Sequence, residues 1–428
     1  MWLLYRVLLV LAHPFVRLRL YWRGRRMPAY RERVGERFGR LPTEIPSGVV
    51  WVHAVSAGEV AAAAPLIQRL RHELDPAGPG VLVTTMTPTG SAAVRRLFSE
   101  TVAHCYAPYD FHGAVQRFVE RTRPRALLLI ETELWPNLIR ATAASGAPVL
   151  LLNARLSERS ARGYRRVGCL TRDLLRRVDW IGAQFQADAD RFIALGAASE
   201  RVTVTGSLKF EQSLDDAAGA DVELIERWLG DRPRWIAGST HAGEDDVVLA
   251  AHRSLLQRHP SAMLLLAPRH PERFDAVARL AGEFRIARMS ELTVEGDFAA
   301  ADAESAQVLL IDSMGVLRDL YAIAQIAFVG GSLVDRGGHN PIEPAAVGVP
   351  VLMGPSRFNF GVVVESFVAA DCLWEVCDAQ SLAQRVRASF EDRHATRAAG
   401  ERARAVVLDG AGALDRQLAR VMSALEGC

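Results

Sequence analysis

Short apolar runs alternate with amphipathic stretches along nearly the whole chain, and this alternation limits the possible folds more than any other feature of the sequence. The first set of apolar runs is Val49–His53, Gly80–Thr84, Arg125–Ile130, Val149–Leu152, Trp180–Ala183 and Val202–Thr205. The second set is Arg234–Ala237, Met263–Ala267, Val308–Ile311, Ile326–Val329 and Val351–Met353. Apolar strands separated by helical stretches are typical of parallel sheets that helices cover on both faces. The sequence therefore predicts an α/β protein with two Rossmann-like domains.

The size and charge of the chain set broad limits on its function. Its 428 residues, half of them hydrophobic, suit two domains. The net charge of +2 argues against a polyanion binder, so we expect no nucleic-acid partner. The five cysteines include no C-x-x-C pair, which favours a reduced compartment and gives no zinc spacing.

The sequence predicts three parts, with the main boundary near an acidic, alanine-rich segment that starts at Asp215. These parts are an N-terminal segment (1–26), a first Rossmann-like domain (27–214) and a second Rossmann-like domain (215–428). The two domains open alike. A small-residue turn and a Gly-Glu pair follow the first apolar run of each set, at Gly58-Glu59 and at Gly243-Glu244.

The N-terminal segment is mostly apolar from Met1 to Val16, and arginines crowd the residues after it. A helix of about 16 residues reaches roughly 24 Å, which is short of the roughly 30 Å hydrocarbon core of a bilayer. Two interpretations remain open. The favoured one is a short membrane anchor or interfacial helix whose arginines meet anionic head groups. The other is an amphipathic helix that packs on the body of the protein.

A glycine-rich stretch from Gly330 to Pro344 follows one of the apolar runs and leads into a predicted helix. Its four glycines let the backbone approach a ligand closely. Asn340 is the predicted N-cap, Pro341 fits the first helical position, and Glu343 lies three residues beyond the cap. A plain capping box would explain these three residues. The favoured interpretation is a nucleotide site, where helix-start amides face a phosphate and Glu343 accepts from ribose hydroxyls.

Acidic residues follow two runs of the first set, where ligands of open parallel sheets bind. Glu59 lies at a predicted helix start, where the helix dipole favours its carboxylate form. It is either a first-turn acid placed for that dipole or a general base for a sugar hydroxyl. Glu131 and Glu133 end a buried run, where an unpaired carboxylate is costly. They face one side if the backbone stays extended, and the alternative is a helix-start acid pair.

Further polar residues follow other runs. Arg155 comes after the next run of the first set, and a structural salt bridge from it to Glu131 or Glu133 is an equal alternative to a ligand contact. Lys209 is only weak evidence for a ligand contact, because a lone lysine is usually solvated. Arg269 in the second set is placed to contact a phosphate bidentately, with His270 assisting, and a surface arginine is the alternative.

Several nucleotide and hydrolase motifs are missing. The only G-x-G near the end of the chain, at Gly410, follows no predicted strand, so a dinucleotide site is disfavoured. The chain also has no G-x-x-x-x-G-K-[ST] and no G-x-S-x-G, which disfavours a P-loop enzyme and an α/β-hydrolase.

The chain resembles the 3-deoxy-D-manno-octulosonic acid (Kdo) transferases of lipopolysaccharide biosynthesis. The matching segments are HAVSAGEV (53–60), ETELWPNLI (131–139), LLNARLSERS (151–160), GSLKF (206–210), GSTHAGE (238–244), APRHPERF (267–274) and FVGGSLVDRGGHNPIEPAAVGVPVLMGP (328–355). The resemblance implies a GT-B fold, with two Rossmann-like domains whose parallel sheets face a cleft and with last helices that are candidates to pack back on the N-terminal domain. It implies transfer of Kdo from CMP-Kdo to a lipid A precursor with inversion. It also implies a membrane-associating N-terminal segment at the cytoplasmic face of the bacterial inner membrane.

The resemblance assigns roles to individual residues. Glu59 matches the proposed catalytic base, which would deprotonate a glucosamine hydroxyl of the acceptor, and Glu131 matches a second acid that is important for activity. The CMP-binding positions are Pro268, Arg269, Met314, Gly315, Val316, Asn340, Pro341, Ile342 and Glu343. Candidates for the donor phosphate are Ser239, Thr240, His241 and Gly338, and candidates for the acceptor are Ser56, Gly58, Asn153, Arg155 and Lys209.

One residue departs from the family pattern, since the family often has glutamate at the position of Val316. Backbone contacts would survive there, whereas a side-chain contact would not. The adjacent acids Asp245 and Asp246 lie within a predicted helix and do not suggest a divalent ion, so we expect neither a metal nor another cofactor. Two alternatives stay open, which are a nucleotide-sugar epimerase on the same fold and a non-catalytic lipid- or nucleotide-binding protein.

Overall fold

A computed structural model describes residues 2–76, 78–211, 220–292 and 305–427. The chain divides into two compact units. Unit 1 is Met1–Gln212 together with Gly410–Cys428, and unit 2 is Ser213–Asp409. The boundary expected between residues 214 and 215 falls outside the described residues.

Unit 1 contains a parallel sheet of seven strands in the order β3-β2-β1-β4-β5-β6-β7. The strands are β1 (Val50–His53), β2 (Val81–Thr85), β3 (Ala103–Tyr106), β4 (Ala126–Ile130), β5 (Val149–Ala154), β6 (Trp180–Ala183) and β7 (Val202–Val204). Alternate residues of the central strands enter two separate apolar clusters, one on each face of the sheet; Leu127 and Leu129 belong to one, and Leu128 to the other. Burial on both faces explains why these strands read as continuous apolar runs.

Eight helices of unit 1 precede residue 212. They are α1 (Trp2–Arg26), α2 (Ala57–Glu73), α3 (Pro88–Phe98), α4 (His112–Thr122), α5 (Pro136–Ala144), α6 (Glu158–Arg166), α7 (Gly168–Leu175) and α8 (Gln186–Ala194). Side-chain caps fix several of their first turns, since Ser56, Thr87 and Ser157 each accept from a backbone N–H three residues on.

Unit 2 repeats the arrangement with a parallel sheet in the order β10-β11-β9-β8-β12-β13-β14. The strands are β8 (Arg234–Thr240), β9 (Met263–Pro268), β10 (Ile286–Arg288), β11 (Val308–Leu310), β12 (Ala327–Val329), β13 (Val351–Met353) and β14 (Leu373–Glu375). The helices are α9 (Ala220–Leu229), α10 (Asp245–Leu256), α11 (Phe274–Leu280), α12 (Met289–Leu292), α13 (Leu317–Tyr321), α14 (Ile342–Ala346), α15 (Gly361–Ala369), α16 (Ala379–Glu391) and α17 (Arg393–Gly410). The last helix, α18 (Ala413–Glu426), belongs to unit 1 and packs against α2. The expected α/β architecture is confirmed.

Each sheet has a switch point near its centre, where the strand order reverses, and in unit 2 the order also changes at β11, which lies between β9 and β10. In unit 1 this switch point lies between β1 and β4, and in unit 2 it lies between β8 and β12. Open parallel sheets bind ligands beyond the carboxyl ends of the strands at such points. The two switch points are therefore the places to look for chemistry.

Helix α1 is longer than expected, because it continues through the arginine-rich residues to Arg26 instead of ending near Val16. One side of it docks on unit 1. The Trp2 indole donates to Asp173 (2.8 Å) and the Tyr5 hydroxyl donates to Asp110 (2.7 Å). The other side exposes large apolar side chains, namely Leu3, Leu4, Val7, Leu8, Val10, Leu11, Phe15, Leu18, Tyr21 and Trp22. Within the described residues, no helix combines the length and apolar character needed to cross a membrane.

Candidate active site

Three carboxylates gather at the switch point of unit 1. Glu59 lies in the first turn of α2, directly after β1. Glu131 and Glu133 lie between β4 and α5. Because β1 and β4 are neighbours in the sheet, the two segments meet, and both Glu131 and Glu133 act on Glu59 electrostatically.

Glu59 is nearly buried, with 9% of its surface exposed. Its carboxylate accepts from the Val55 N–H (2.8 Å) and the Ser56 hydroxyl (2.9 Å), which fixes its orientation. Burial and the neighbouring charges of Glu133 and Glu131 raise the pKa of Glu59 to about 8, against the lowering effect of these hydrogen bonds. We expected the helix dipole to favour the carboxylate form. The net shift has the opposite sign, because burial and the neighbouring carboxylates favour the protonated form.

The two other acids have different partners. The backbone at Glu131 has φ +63°, so the chain is not extended there, and the condition under which a continued strand would place both carboxylates on one side is not met. The Glu131 carboxylate pairs with the Lys209 ammonium (3.5 Å), and Glu133 accepts from the Trp135 indole (2.6 Å). Lys209, rather than Arg155, is thus the ion-pair partner of Glu131. A positive φ in a non-glycine residue costs on the order of 1–3 kcal/mol and is common at active sites.

The remaining acceptor candidates differ in accessibility. Gly58 is exposed, and a Cβ added to it would meet only the Ser56 hydroxyl at 3.9 Å, so packing in this chain does not demand a glycine there. Arg155 is half-buried, and its carbonyl accepts from the Thr132 hydroxyl. Asn153 is fully buried, and its side-chain oxygen accepts from the Leu208 N–H (3.0 Å). The structure therefore gives Asn153 a role in holding the loop that carries Lys209.

The glycine-rich loop after β12 is held by Glu244, a residue that the sequence marked only as part of a repeated Gly-Glu pair. This carboxylate is fully buried and accepts four backbone N–H groups. The donors are His241 (2.9 Å), Gly331 (2.7 Å), Ser332 (3.0 Å) and Leu333 (2.9 Å). Glu244 therefore ties the carboxyl ends of β8 and β12 together at the switch point of unit 2.

The proposed nucleotide contacts lie beside that loop. Helix α14 begins at Ile342, so Pro341 occupies the cap position that we predicted for Asn340. Asn340 accepts from the Ile342 N–H (3.1 Å) and donates its amide to Glu343 (3.2 Å). Burial raises the pKa of Glu343, while Asn340, then Arg318 and Arg269, lower it. Arg269 itself is exposed at the end of β9 and available to an anion.

The other candidates for contact with the donor phosphate differ in their local surroundings. Thr240 is fully buried and donates to Asp245 (2.6 Å), so its side chain serves the scaffold. Ser239 has φ +58° within an irregularity between β8 and β9. Gly338 has φ +72°, and a Cβ there would lie 2.6 Å from Met353.

The segment after β11 is open to solvent. Met314 is 58% exposed, and Gly315 has φ +91°, a conformation that favours glycine. Val316 precedes α13 as its cap residue, and Pro268 ends β9. Within the described ranges, no group of three or more His, Cys, Asp or Glu side chains is arranged to hold a metal ion.

Comparison with known proteins gives the family. Residues 32–212 match the profile of a family described as 3-Deoxy-D-manno-octulosonic-acid transferase (kdotransferase). The chain is 36% identical over 419 residues to the 3-deoxy-D-manno-octulosonic acid transferase of Haemophilus influenzae, covering 97% of this chain and 96% of that protein. It is also 36% identical over 420 residues to the transferase of the same name from Bordetella pertussis, covering 95% of each.

A solved structure shows the fold independently. The chain is similar to UDP-GlcNAc 2-epimerase from Neisseria meningitidis bound to UDP-GlcNAc, with a TM-score of 0.56, 14% identity and coverage of 85% of this chain and 98% of that one. At this identity the likeness concerns the fold alone, which is of the GT-B type. The resemblance found in the motifs is confirmed by the full-length matches, and the chain belongs to the 3-deoxy-D-manno-octulosonic acid (Kdo) transferase family of glycosyltransferases.

Proposed function

We propose that this protein is an inverting glycosyltransferase that moves Kdo from CMP-Kdo to a glucosamine hydroxyl of the lipid A precursor lipid IVA, without a metal ion. The observation that carries the proposal is the position of Glu59. It is a buried, oriented carboxylate with a raised pKa at the switch point of unit 1, in a chain of this family. A carboxylate that binds protons more tightly than usual is a stronger general base once it is ionised.

The proposed reaction follows from that base. Ionised Glu59 accepts the proton of the acceptor hydroxyl as its oxygen forms a bond to the anomeric carbon of Kdo. The bond between that carbon and the phosphate oxygen breaks on the opposite face, which inverts the configuration. The electron pair stays on the phosphate of CMP. Val55 and Ser56 keep the carboxylate aimed during the transfer, and Lys209 holds Glu131 beside it.

Unit 2 supplies the proposed site for CMP. Glu343 would accept from ribose hydroxyls, with Asn340 holding its carboxylate in place. Arg269 is exposed and would contact the phosphate, as a guanidinium suits a bidentate contact. A single phosphate develops modest charge when it leaves. Fixed cationic groups can stabilise that charge without a divalent ion.

Helix α1 supports membrane association at the cytoplasmic face of the bacterial inner membrane. Its exposed apolar side chains point away from unit 1, and Arg19, Arg23 and Arg25 share the helix with them. An interfacial helix gains from both features, because apolar side chains enter the acyl boundary and arginines meet anionic head groups. Such a helix would hold the enzyme where its lipid acceptor resides.

The change Glu59→Gln tests the role of the base. We expect transfer to fall by about 10²–10⁴-fold, the usual contribution of a general base, while the affinity for CMP stays within about twofold. Glu73→Gln is the matched control, because Glu73 is exposed at the far end of the same helix, α2. Radiolabelled transfer assays and CMP titrations measure the two quantities. Retained transfer, or a large loss of CMP affinity, would contradict the assigned role.

A further inference from the structure

Two histidines meet at the switch point of unit 2. His241 directly follows β8, and His339 lies in the loop after the neighbouring strand β12. Their Nε2 atoms are 2.8 Å apart, and their ring centroids are 5.1 Å apart with a 2° angle between planes, so the rings lie end to end in nearly one plane. Such a contact is a hydrogen bond only if one Nε2 carries a proton and the other does not. The pair therefore shares a proton, and each ring keeps its Nδ1 atom for another contact.

The scaffold fixes both rings in this arrangement. The His241 N–H donates to Glu244, the carboxylate that also holds the glycine-rich loop. The His339 N–H donates to the Gly330 carbonyl (3.0 Å). A Cβ on Gly331 would lie 2.9 Å from the His339 ring, so glycine is needed there for the ring to occupy its place. This degree of support is more than a surface histidine requires.

The surroundings keep the pair neutral while no anion is bound. The charged and titratable groups that act on it are Glu244, Arg269, Arg273, Arg336 and His270. Burial lowers the pKa of both histidines, to about 4 for His339, and the three arginines lower it further. Only Glu244 opposes them, at His241. An anion placed among these arginines would offset their charge, and protonation of the pair would then become favourable.

We propose that the His241–His339 pair takes up one proton when the phosphate of the donor nucleotide binds in unit 2, and that it gives this proton to the departing phosphate. The inference rests on the proposed function, since the ligand is the nucleotide of that function. As the bond from the sugar carbon to the phosphate oxygen breaks, its electron pair stays on that oxygen. The proton of the pair moves to the phosphate, which leaves as a singly charged nucleoside monophosphate, and the pair returns to its neutral state.

Calorimetry with the methyl ester of CMP tests proton uptake directly. The phosphate of the ester carries one negative charge, like the phosphodiester of the donor, and it does not titrate near neutral pH, so any proton taken up belongs to the protein. Binding enthalpies are measured near pH 7 in two buffers that differ in ionisation enthalpy. We expect enthalpies that depend on the buffer, and an affinity that weakens by up to about tenfold per pH unit as the pH rises. Enthalpies that do not depend on the buffer would overturn the proposal.

Single variants assign the proton to the pair. His241→Gln and His339→Gln should each abolish the buffer dependence, whereas His394→Gln, an exposed histidine of α17, should retain it. If both pair variants took up as many protons as the wild type when the ester binds, the proton would not belong to the pair and the proposal would be overturned. If a variant fails to fold, the wild-type calorimetry still decides whether a proton is taken up. Absence of ester binding to the folded wild type would count against the nucleotide site itself, whereas binding without proton uptake counts only against the histidine pair.

Discussion

Like charges and burial give Glu59 its chemical character. The carboxylate lies beside Glu133 and Glu131, and its raised pKa means that it releases its proton only near pH 8. A base must be ionised to accept a proton. On the proposed role, the acid limb of the pH–rate profile for the acceptor therefore reports this group in the enzyme–donor complex.

We predict that kcat/KM for the acceptor, measured at saturating donor, rises with pH and levels off above about 8, the pKa of Glu59. The carboxylate of Glu133 raises the pKa of Glu59 more than the carboxylate of Glu131 does. Glu133→Gln removes that charge, so the pKa of Glu59 falls and the acid limb moves to lower pH. The glutamine oxygen can still accept from the Trp135 indole, which preserves the local geometry. The pH–rate profiles of the wild type, of Glu133→Gln and of the control Glu73→Gln test this prediction. An unchanged limb in Glu133→Gln would show that another group controls the profile.

The buried carboxylate of Glu244 should contribute strongly to stability. Glu244→Gln replaces one acceptor oxygen by an NH₂ group, which would face backbone N–H donors that have no other partner on that side. We expect a loss of about 2–3 kcal/mol in the free energy of unfolding, measured by urea denaturation. Glu272→Gln is the control, because Glu272 is exposed and should change stability by less than about 0.5 kcal/mol. Equal stability of the two variants would refute the structural role.

Sequence patterns predicted some of these residues and missed others for identifiable reasons. Glu59 and Glu131 follow recognisable strands, so their place at a sheet edge could be inferred from local sequence alone. The contacts of Glu244 join it to Gly331 and Leu333, some 87 to 89 residues away, and no local pattern reports such contacts. The raised pKa of Glu59 likewise depends on residues from a different strand end.

At the scale of elements, burial decides which strands the sequence reveals. The central strands are apolar on both faces, and the predicted runs match them to within two residues except at the end of β8, which continues to Thr240. The three missed strands, β3, β10 and β14, lie at edges of the sheets. Their sequences, Ala103–Tyr106, Ile286–Arg288 and Leu373–Glu375, contain too few consecutive apolar residues to stand out. An edge strand needs less apolar surface, because one side has no neighbour.

Helix α1 packs on unit 1 with one side and exposes apolar side chains on the other, which explains why both interpretations of its sequence were reasonable. Trp2 and Tyr5 hold it on unit 1, while the opposite side exposes leucines. Pro14 lies within the helix without ending it, so the apolar and basic parts form one element. No pattern in the sequence showed which side chains of this helix would face outwards.

Replacement of three exposed leucines, Leu4, Leu8 and Leu11, by serine should weaken membrane binding without unfolding the protein. These side chains are 55–63% exposed, so their loss should change the free energy of unfolding by less than about 0.5 kcal/mol each. Burial of one leucine is worth about 1.5–3 kcal/mol, so we expect at least about a tenfold fall in vesicle binding. Cosedimentation with anionic vesicles measures it, with Leu408→Ser as the control on α17. Unchanged sedimentation would argue against α1 as the membrane contact.

At the scale of the whole molecule, each unit has a Gly-Glu pair beside the switch point of a parallel sheet, but the two glutamates make different contacts. In each sheet a Gly-Glu pair lies between the strand beside the switch point and the body of the next helix. The glutamates are Glu59 after β1 and Glu244 after β8. Glu59 accepts one N–H and one hydroxyl and remains able to take up a proton. Glu244 accepts four N–H groups, so its lone pairs are used by the scaffold. The same local pattern thus gives a carboxylate with a raised pKa in one unit and a carboxylate that holds the glycine-rich loop in the other.

The most direct test of the central claim is mass spectrometry of a tetraacylated lipid A precursor incubated with this protein and CMP-Kdo, with the donor generated in situ. We predict mass increments of Kdo, whose number gives the residues added. We also predict the same increments in a reaction started with purified CMP-Kdo and a chelator, and none with Glu59→Gln. Loss of transfer with the chelator, restored only by magnesium, would refute the metal-free mechanism. No increment from folded protein that binds CMP would contradict the proposed reaction itself.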